Sequence, residues 1–272
     1  MRIHSSTRRV TRIAVPMTGL AAAAAMLTAA PAQAAPAAPA AAAEDLPTFS
    51  FTDCPALAAN DDPNRSTCVN AVVTALEIKA GALEQTITGE PIRMTFGNLY
   101  DKTTKRSRAV FGKLNGQEFK VRPGIFDSEF GAVYGKPAYA GVFDQPPSPD
   151  FKIVLGQKIK LTKPFVLGLC EIGTDSNPIL LNLTTGTTSP PAPNQPITGS
   201  PATLITTNGP ISIYKAKHVD NSWAAPGARN CIYGNDPVSA TVSLLAGLPS
   251  AAGHNSIALD EYIARVNYTN KP

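Results

Sequence analysis

The sequence predicts an all-β protein: an antiparallel β-sandwich or partly open barrel with long Pro/Gly-rich loops and two disulfides. Three observations carry that expectation. Apolar and polar residues alternate with a period of two in several segments, as on a strand with one buried face. Short segments of this kind are punctuated by 25 prolines and 20 glycines. Asn-Gly pairs, which suit the positive backbone angles of tight hairpins, stand between such segments.

In chain order, residues 1–34 have Arg2, Arg8, Arg9 and Arg12 ahead of an alanine-rich apolar run and then Ala32-Gln33-Ala34. That is the pattern of a secretory signal peptide, with Ala35 as the new amino terminus. Pro16 and Gly19 interrupt the run, which makes it poor as a membrane span. The Arg8-Arg9 pair admits twin-arginine export, but Thr11 and Arg12 replace the strongly apolar residues expected after it, favouring ordinary unfolded export. Residues 35–47 are an Ala/Pro-rich flexible lead. Residues 48–272 then form a single β-rich domain, a length ordinary for all-β proteins.

Within that domain, residues 66–88 mix helix formers with β-branched residues and are assigned to strands. Asn115-Gly116, between "RAVFGKL" and "QEFKVR", predicts a hairpin. In "FKIVLGQKIKL", Phe151, Ile153, Leu155, Ile159 and Leu161 share one parity and Lys152, Lys158 and Lys160 the other, a half-buried strand bent near Gly156-Gln157. Residues 178–184 form a strand. The tract 190–196, with four prolines in seven residues, cannot pair centrally and is expected to run extended over the surface, linking two sheets or two edges of one. Its alternative is recognition by an aromatic groove. Asn208-Gly209 predicts a second hairpin in which Pro210, lacking an N–H, puts the partner strand at an edge or starts it a residue later. The stretch "VSATVSLL" (238–245) alternates and predicts a strand. Residues 255–268 fit strand and helix about equally.

Cys54, Cys68, Cys170 and Cys231 are the only cysteines. In an exported chain they imply two bridges, and pairing 54 with 68 and 170 with 231 closes each loop within one half of the chain. Zinc fails on spacing, since no C-x-x-C pair exists and only His218 and His254 accompany the thiols after the leader.

Charge excludes some function classes. When the four leader arginines are removed, the 24 basic groups fall to 20, against 20 acids. The balance gives no reason to expect nucleic acid or anionic lipid as partner. Lys102, Lys105, Arg106 and Arg108 cluster locally and read as a solvated turn. No later segment is long enough to span a bilayer.

The segments "CEIGTDSNPILLNLTTGTTSPPAPNQPITG", "VDNSWAAPGARNC" and "GLPSAAGHNS" resemble a group of small secreted proteins of high-GC Gram-positive bacteria, known chiefly as hypothetical exported proteins. The likeness runs from about Thr52 onward. It implies an exported, two-disulfide, β-rich protein and brings no activity, cofactor or catalytic residue; the expected location is secreted or extracellular, with wall association as the alternative.

For hydrolysis, His218, Asp220 and Ser222 in "KHVDNSW" and His254 in "GHNS" are the residues to test, although neighbours on one strand seldom converge as a triad. The acids Asp127, Glu129, Asp144, Asp150, Asp260 and Glu261 are candidates for glycosidic chemistry, with no spacing to select a pair. Asp62, Asn64 and Ser66 resemble the start of a calcium loop without its glycine and distal glutamate. For binding, Trp223, Tyr214 and Tyr233 are the candidate residues, as an aromatic plate for a sugar or partner, although Trp223 is favoured as a rim residue covering the core by the disulfide. No catalytic set, metal or cofactor is assigned. The expected function is that of a secreted non-catalytic domain binding a protein, glycan or apolar molecule, with a secreted hydrolase and an apolar-ligand carrier as alternatives. A carrier requires a cavity lined by Phe, Val and Leu between the sheets.

Overall fold

A computed structural model describes residues 45–121, 132–162, 170–231 and 237–272, which belong to one compact unit. In chain order its elements are β1 (Thr67–Ala80), β2 (Leu83–Tyr100), β3 (Ser107–Gly116), β4 (Phe119–Lys120), β5 (Tyr134–Asp144), β6 (Ile153–Thr162), β7 (Glu171–Ile172), β8 (Ile179–Leu183), β9 (Ser200–Asn208), β10 (Ile211–Asp220), β11 (Ala228–Arg229), α1 (Pro237–Leu245) and β12 (Ser256–Asn267). They make two antiparallel sheets, not a closed barrel. The first has the order β3-β2-β1-β12-β10-β9; the second runs β11-β7-β6-β5-β4, with β8 also on β6.

The inner face of the first sheet is continuous although its sequence parity is not. Val69, Ala71 and Val73 are odd-numbered, whereas Leu76 and Ile78 are even, and all five belong to one core cluster. The register slips between Val73 and Ala75, so one extra residue, Thr74, restores the same face. On β2 the segment Gly89-Glu90-Pro91 plays the matching part between Ile87 and Ile92. Residues 66–88 are therefore strand, as expected, and residues 255–268 resolve as the strand β12. The outer face carries a second cluster, in which Leu46, Phe49, Phe51 and Cys54 cover Ile213, Tyr262 and Val266. Cys54 is bridged to Cys68, and Cys170 to Cys231, the predicted pairing.

Two expectations need correction. Asn115-Gly116 is not a hairpin turn: both residues stay paired with β2, Gly116 opposite Ile92, and the chain crosses to the second sheet beyond them. A Cβ on Gly116 would lie 2.2 Å from the Pro137 carbonyl oxygen, so this glycine serves a close approach of the two sheets rather than a positive φ. The stretch 238–245 is helix, not strand. Val238 and Val242 are spaced for either structure; Pro237 at the first helical position and Gly247 just beyond the end are the helix signals. The hydroxyls of Ser239 and Ser243 accept from the Cys231 and Ala228 amides, which ties α1 to β11.

The second hairpin is present. The loop lies one residue further on than expected, at Gly209 (φ +56°) and Pro210 rather than Asn208 and Gly209, because Asn208 pairs with Ile211. β10 begins a residue after Pro210, as expected, and is internal to the sheet, with β9 at its edge. The expected bend near Gly156 appears on the partner strand, as a slip between Tyr139 and Phe143 of β5. The proline tract is the connector from β8 in one sheet to β9 in the other. It is tied down by Asn194, whose amide donates to the carbonyls of Asn221 and Asn255 at 2.8 Å each.

Candidate functional site

Between the sheets the packing changes along the sandwich. At one end Phe96, Phe111, Tyr139 and Phe143 fill the interlayer, with the Phe111 and Tyr139 rings stacked at 3.7 Å between centroids. Burial raises the Tyr139 pKa above its ordinary value. At the other end the side chains are aliphatic and leave a cavity of about 80 Å³. This exceeds the ~10–15 Å³ one water needs and is about half the ~150 Å³ that admits benzene in an engineered core.

The cavity walls come from four places: the tip of the β1–β2 hairpin (Ile78, Leu83), the β6–β8 face (Ile159, Leu181), helix α1 (Val242, Ala246) and the segment after β10 (Trp223, Ala225). The hairpin tip is pinned over the helix end, Ala82 N–H donating to the Ala246 carbonyl and Gly81 N–H to Asn255 Oδ1. Among the described lining residues only Glu84, Gln85, Gln157 and Trp223 bring polar groups.

Two of those groups are unusual. Gln157 Nε2 and Trp223 Nε1 are buried and have no hydrogen-bond partner, with their residues 4% and 2% exposed. Thr67 Oγ1 and Asn221 Oδ1 are likewise unpartnered but lie away from the cavity. A buried donor without an acceptor costs about 1–3 kcal/mol, and here two such donors belong to one apolar chamber. The arrangement suits an apolar molecule that carries an acceptor oxygen.

Of the aromatic set, Trp223 is buried, as the favoured reading expected, and forms part of the cavity wall. Tyr214 is half-buried on β10, beside a shallow hollow with Ala202 and Arg265. Tyr233 lies outside the described residues. Gln157 was missed, although its signal is in the sequence: it occupies the apolar parity of "FKIVLGQKIKL", between Leu155 and Ile159.

The hydrolase candidates are arranged otherwise than a triad requires. His218 is buried at 1% exposure, and Ser222 does not reach it. Its Nδ1 faces the Glu261 carboxylate, and its Nε2 donates to the Phe151 carbonyl at 2.8 Å. Acceptors at both nitrogens favour the protonated ring. Burial works against that charge, but Glu261 and the Phe151 carbonyl outweigh it and raise the His218 pKa. Asp220 accepts from Ser222 Oγ (2.7 Å) and from the Ser222 and Asn182 amides, closing a turn. His254 stands exposed in a polar hollow with Lys79 and Asn194.

Among the described residues the acidic candidates are each paired or exposed rather than gathered. Asp260 pairs with Lys217 and Glu261 with His218 on opposite faces of β12. Asp144 and Asp150 are exposed, while Asp127 and Glu129 lie outside the described residues. Asp62 and Asn64 are bound within their own turn and to Thr269, and Ser66 Oγ accepts from the Tyr100 amide. No group of three metal-ligating side chains occurs among the described residues. In the basic cluster, Arg108 makes a two-pronged pair with buried Asp61 (2.7 and 2.9 Å). Lys102, Lys105 and Arg106 are exposed in the β2–β3 turn.

Among the described residues no helix is long and apolar enough to cross a membrane. Comparison with protein-family models, with curated proteins and with solved structures finds no match to this chain.

Proposed function

We propose that this protein is an exported, non-catalytic carrier of a small apolar molecule bearing a hydrogen-bond acceptor, held between the two sheets. The observation that carries the reading is the aliphatic chamber whose wall includes two buried, unpartnered donors, Gln157 Nε2 and Trp223 Nε1. A chamber of this composition gains from burying apolar surface and from satisfying those donors. The two disulfides and the leader of residues 1–34 support export.

The test uses the chain itself as reporter, because Trp223 is its only tryptophan. Straight-chain ketones are expected to shift its emission saturably. Alkanes of equal length bind about tenfold more weakly, the worth of roughly one hydrogen bond at 1.4 kcal/mol per factor of ten. Absence of a saturable change with any ketone overturns the reading.

A further inference from the structure

The walls of the chamber point to the shape and direction of its ligand, an inference that rests on the carrier reading above. Exposure changes along the chamber. Gln157, Leu181, Trp223, Ala225 and Ile257 are buried, whereas Ile78, Leu83, Gln85 and Phe119 are half-buried. The half-buried end continues into an open hollow of about 430 Å³, with which it shares Glu84, Gln85 and Phe119, and which adds Thr86, Thr88 and Lys120. One end is thus closed and carries two unsatisfied donors, and the other opens among carboxylate, hydroxyl and ammonium groups.

Strand register gives the separation of the ends along the strand direction. Phe119 is level with Gly135 on β5, and Gly135 with Leu161 on β6. Gln157 lies four residues back along β6, about 13 Å at the rise of a strand. A chamber that is long for its volume of about 80 Å³ excludes fused rings.

We propose that the ligand is an unbranched aliphatic chain, polar at both ends. A neutral acceptor, hydroxyl or carbonyl, is bound by Gln157 and Trp223. The shaft lies along β6, and a second polar group emerges beside Phe119 into the hollow. Phe119 is then the residue that sets chain length: its ring lies against Gly135, where an added Cβ would meet ring carbons at 3.1 and 3.2 Å, and it stands where the chain leaves the protein.

The test is a homologous series of straight-chain primary alcohols and α,ω-diols titrated against Trp223 fluorescence. Affinity for the alcohols is expected to rise about fourfold per methylene while the chain fills the chamber, and then to level off. The diols bind worse than alcohols while short, because their second hydroxyl is desolvated, and overtake them at the length where it reaches the hollow. Phe119→Trp narrows the exit and, followed by calorimetry because it adds a second tryptophan, is expected to weaken binding of the long members far more than that of the short ones. A monotonic rise without a plateau, equal binding of cyclic alcohols, or a Phe119→Trp effect that ignores chain length overturns the proposed geometry and leaves the carrier reading standing. Failure of every alcohol, diol and ketone to bind overturns both.

Discussion

The two ends of the interlayer are built from the same sheets to opposite effect. At the aromatic end, Phe96 of β2 and Phe111 of β3 meet Tyr139 and Phe143 of β5, and rings fill the space that the sheets leave. At the aliphatic end, a helix and a hairpin tip stand in for a facing strand, and branched side chains leave a void. Rings pack a flat interlayer well because they are broad and rigid. Small and branched side chains of α1 and the hairpin tip cannot fill the gap. The lesson is that stability and capacity to bind are separated along one sandwich: one end holds the layers together, and the other keeps a donor-lined space open.

That contrast can be broken at several points. Phe96 is fully buried, and Phe96→Ala is expected to cost about 3–5 kcal/mol in urea unfolding; a loss below about 1 kcal/mol would deny the aromatic end its role. Replacing both Cys170 and Cys231 by serine is expected to cost about 2–5 kcal/mol, and the loss of ligand-induced Trp223 shift in a still-folded double variant would tie the bridge to the chamber. The His218–Glu261 pair sharpens the picture from between the ends, since it joins β10 and β12 to the Phe151 carbonyl ahead of β6. Its raised His218 pKa makes the folded state bind the proton more tightly than the unfolded chain. The resulting stability is complete below the ordinary value of about 6.5 and is lost as pH rises through the raised value. Melting temperature should therefore fall as pH rises from about 6.5 to the raised value, and Glu261→Gln should flatten the fall. The smallest effect belongs to Gln157→Leu. Removing an unpartnered buried donor should change stability by no more than about 1 kcal/mol, on the stabilising side, while ketone affinity drops about tenfold. A clear destabilisation would show that Gln157 serves packing instead.

Much of this architecture was legible. Alternation in "FKIVLGQKIKL", the hairpin at Asn208-Gly209, whose loop falls one residue further on, and the enclosure of the proline tract between Cys170 and Cys231 each specify a local outcome that occurs. The failures are of two kinds. Val238 and Val242 fit both periods, so only the flanking Pro237 and Gly247 separate helix from strand. Asn115-Gly116 has the composition of a turn but is governed by the approach of Pro137, a contact about twenty residues away in sequence that no local pattern contains. The site was legible only as an anomaly. Gln157 breaks an apolar parity, and the sequence marks the break without saying what surrounds it. That Trp223 joins the same wall depends on the crossing of β6, β8 and the segment after β10, which is tertiary information. His218 and Glu261 were both candidates, yet their partnership is a diagonal contact across two strands 43 residues apart.

The ladder between β1 and β12 joins Thr67 to Asn267 and Cys68 to Val266, at the middle of the first sheet. A nascent chain therefore cannot complete that sheet until its last strand has emerged, and the high contact order of the pairing slows folding. Truncating the chain before Ser256, which removes all of β12, would leave β1–β3 and β9–β10 as separate ribbons with nothing between them.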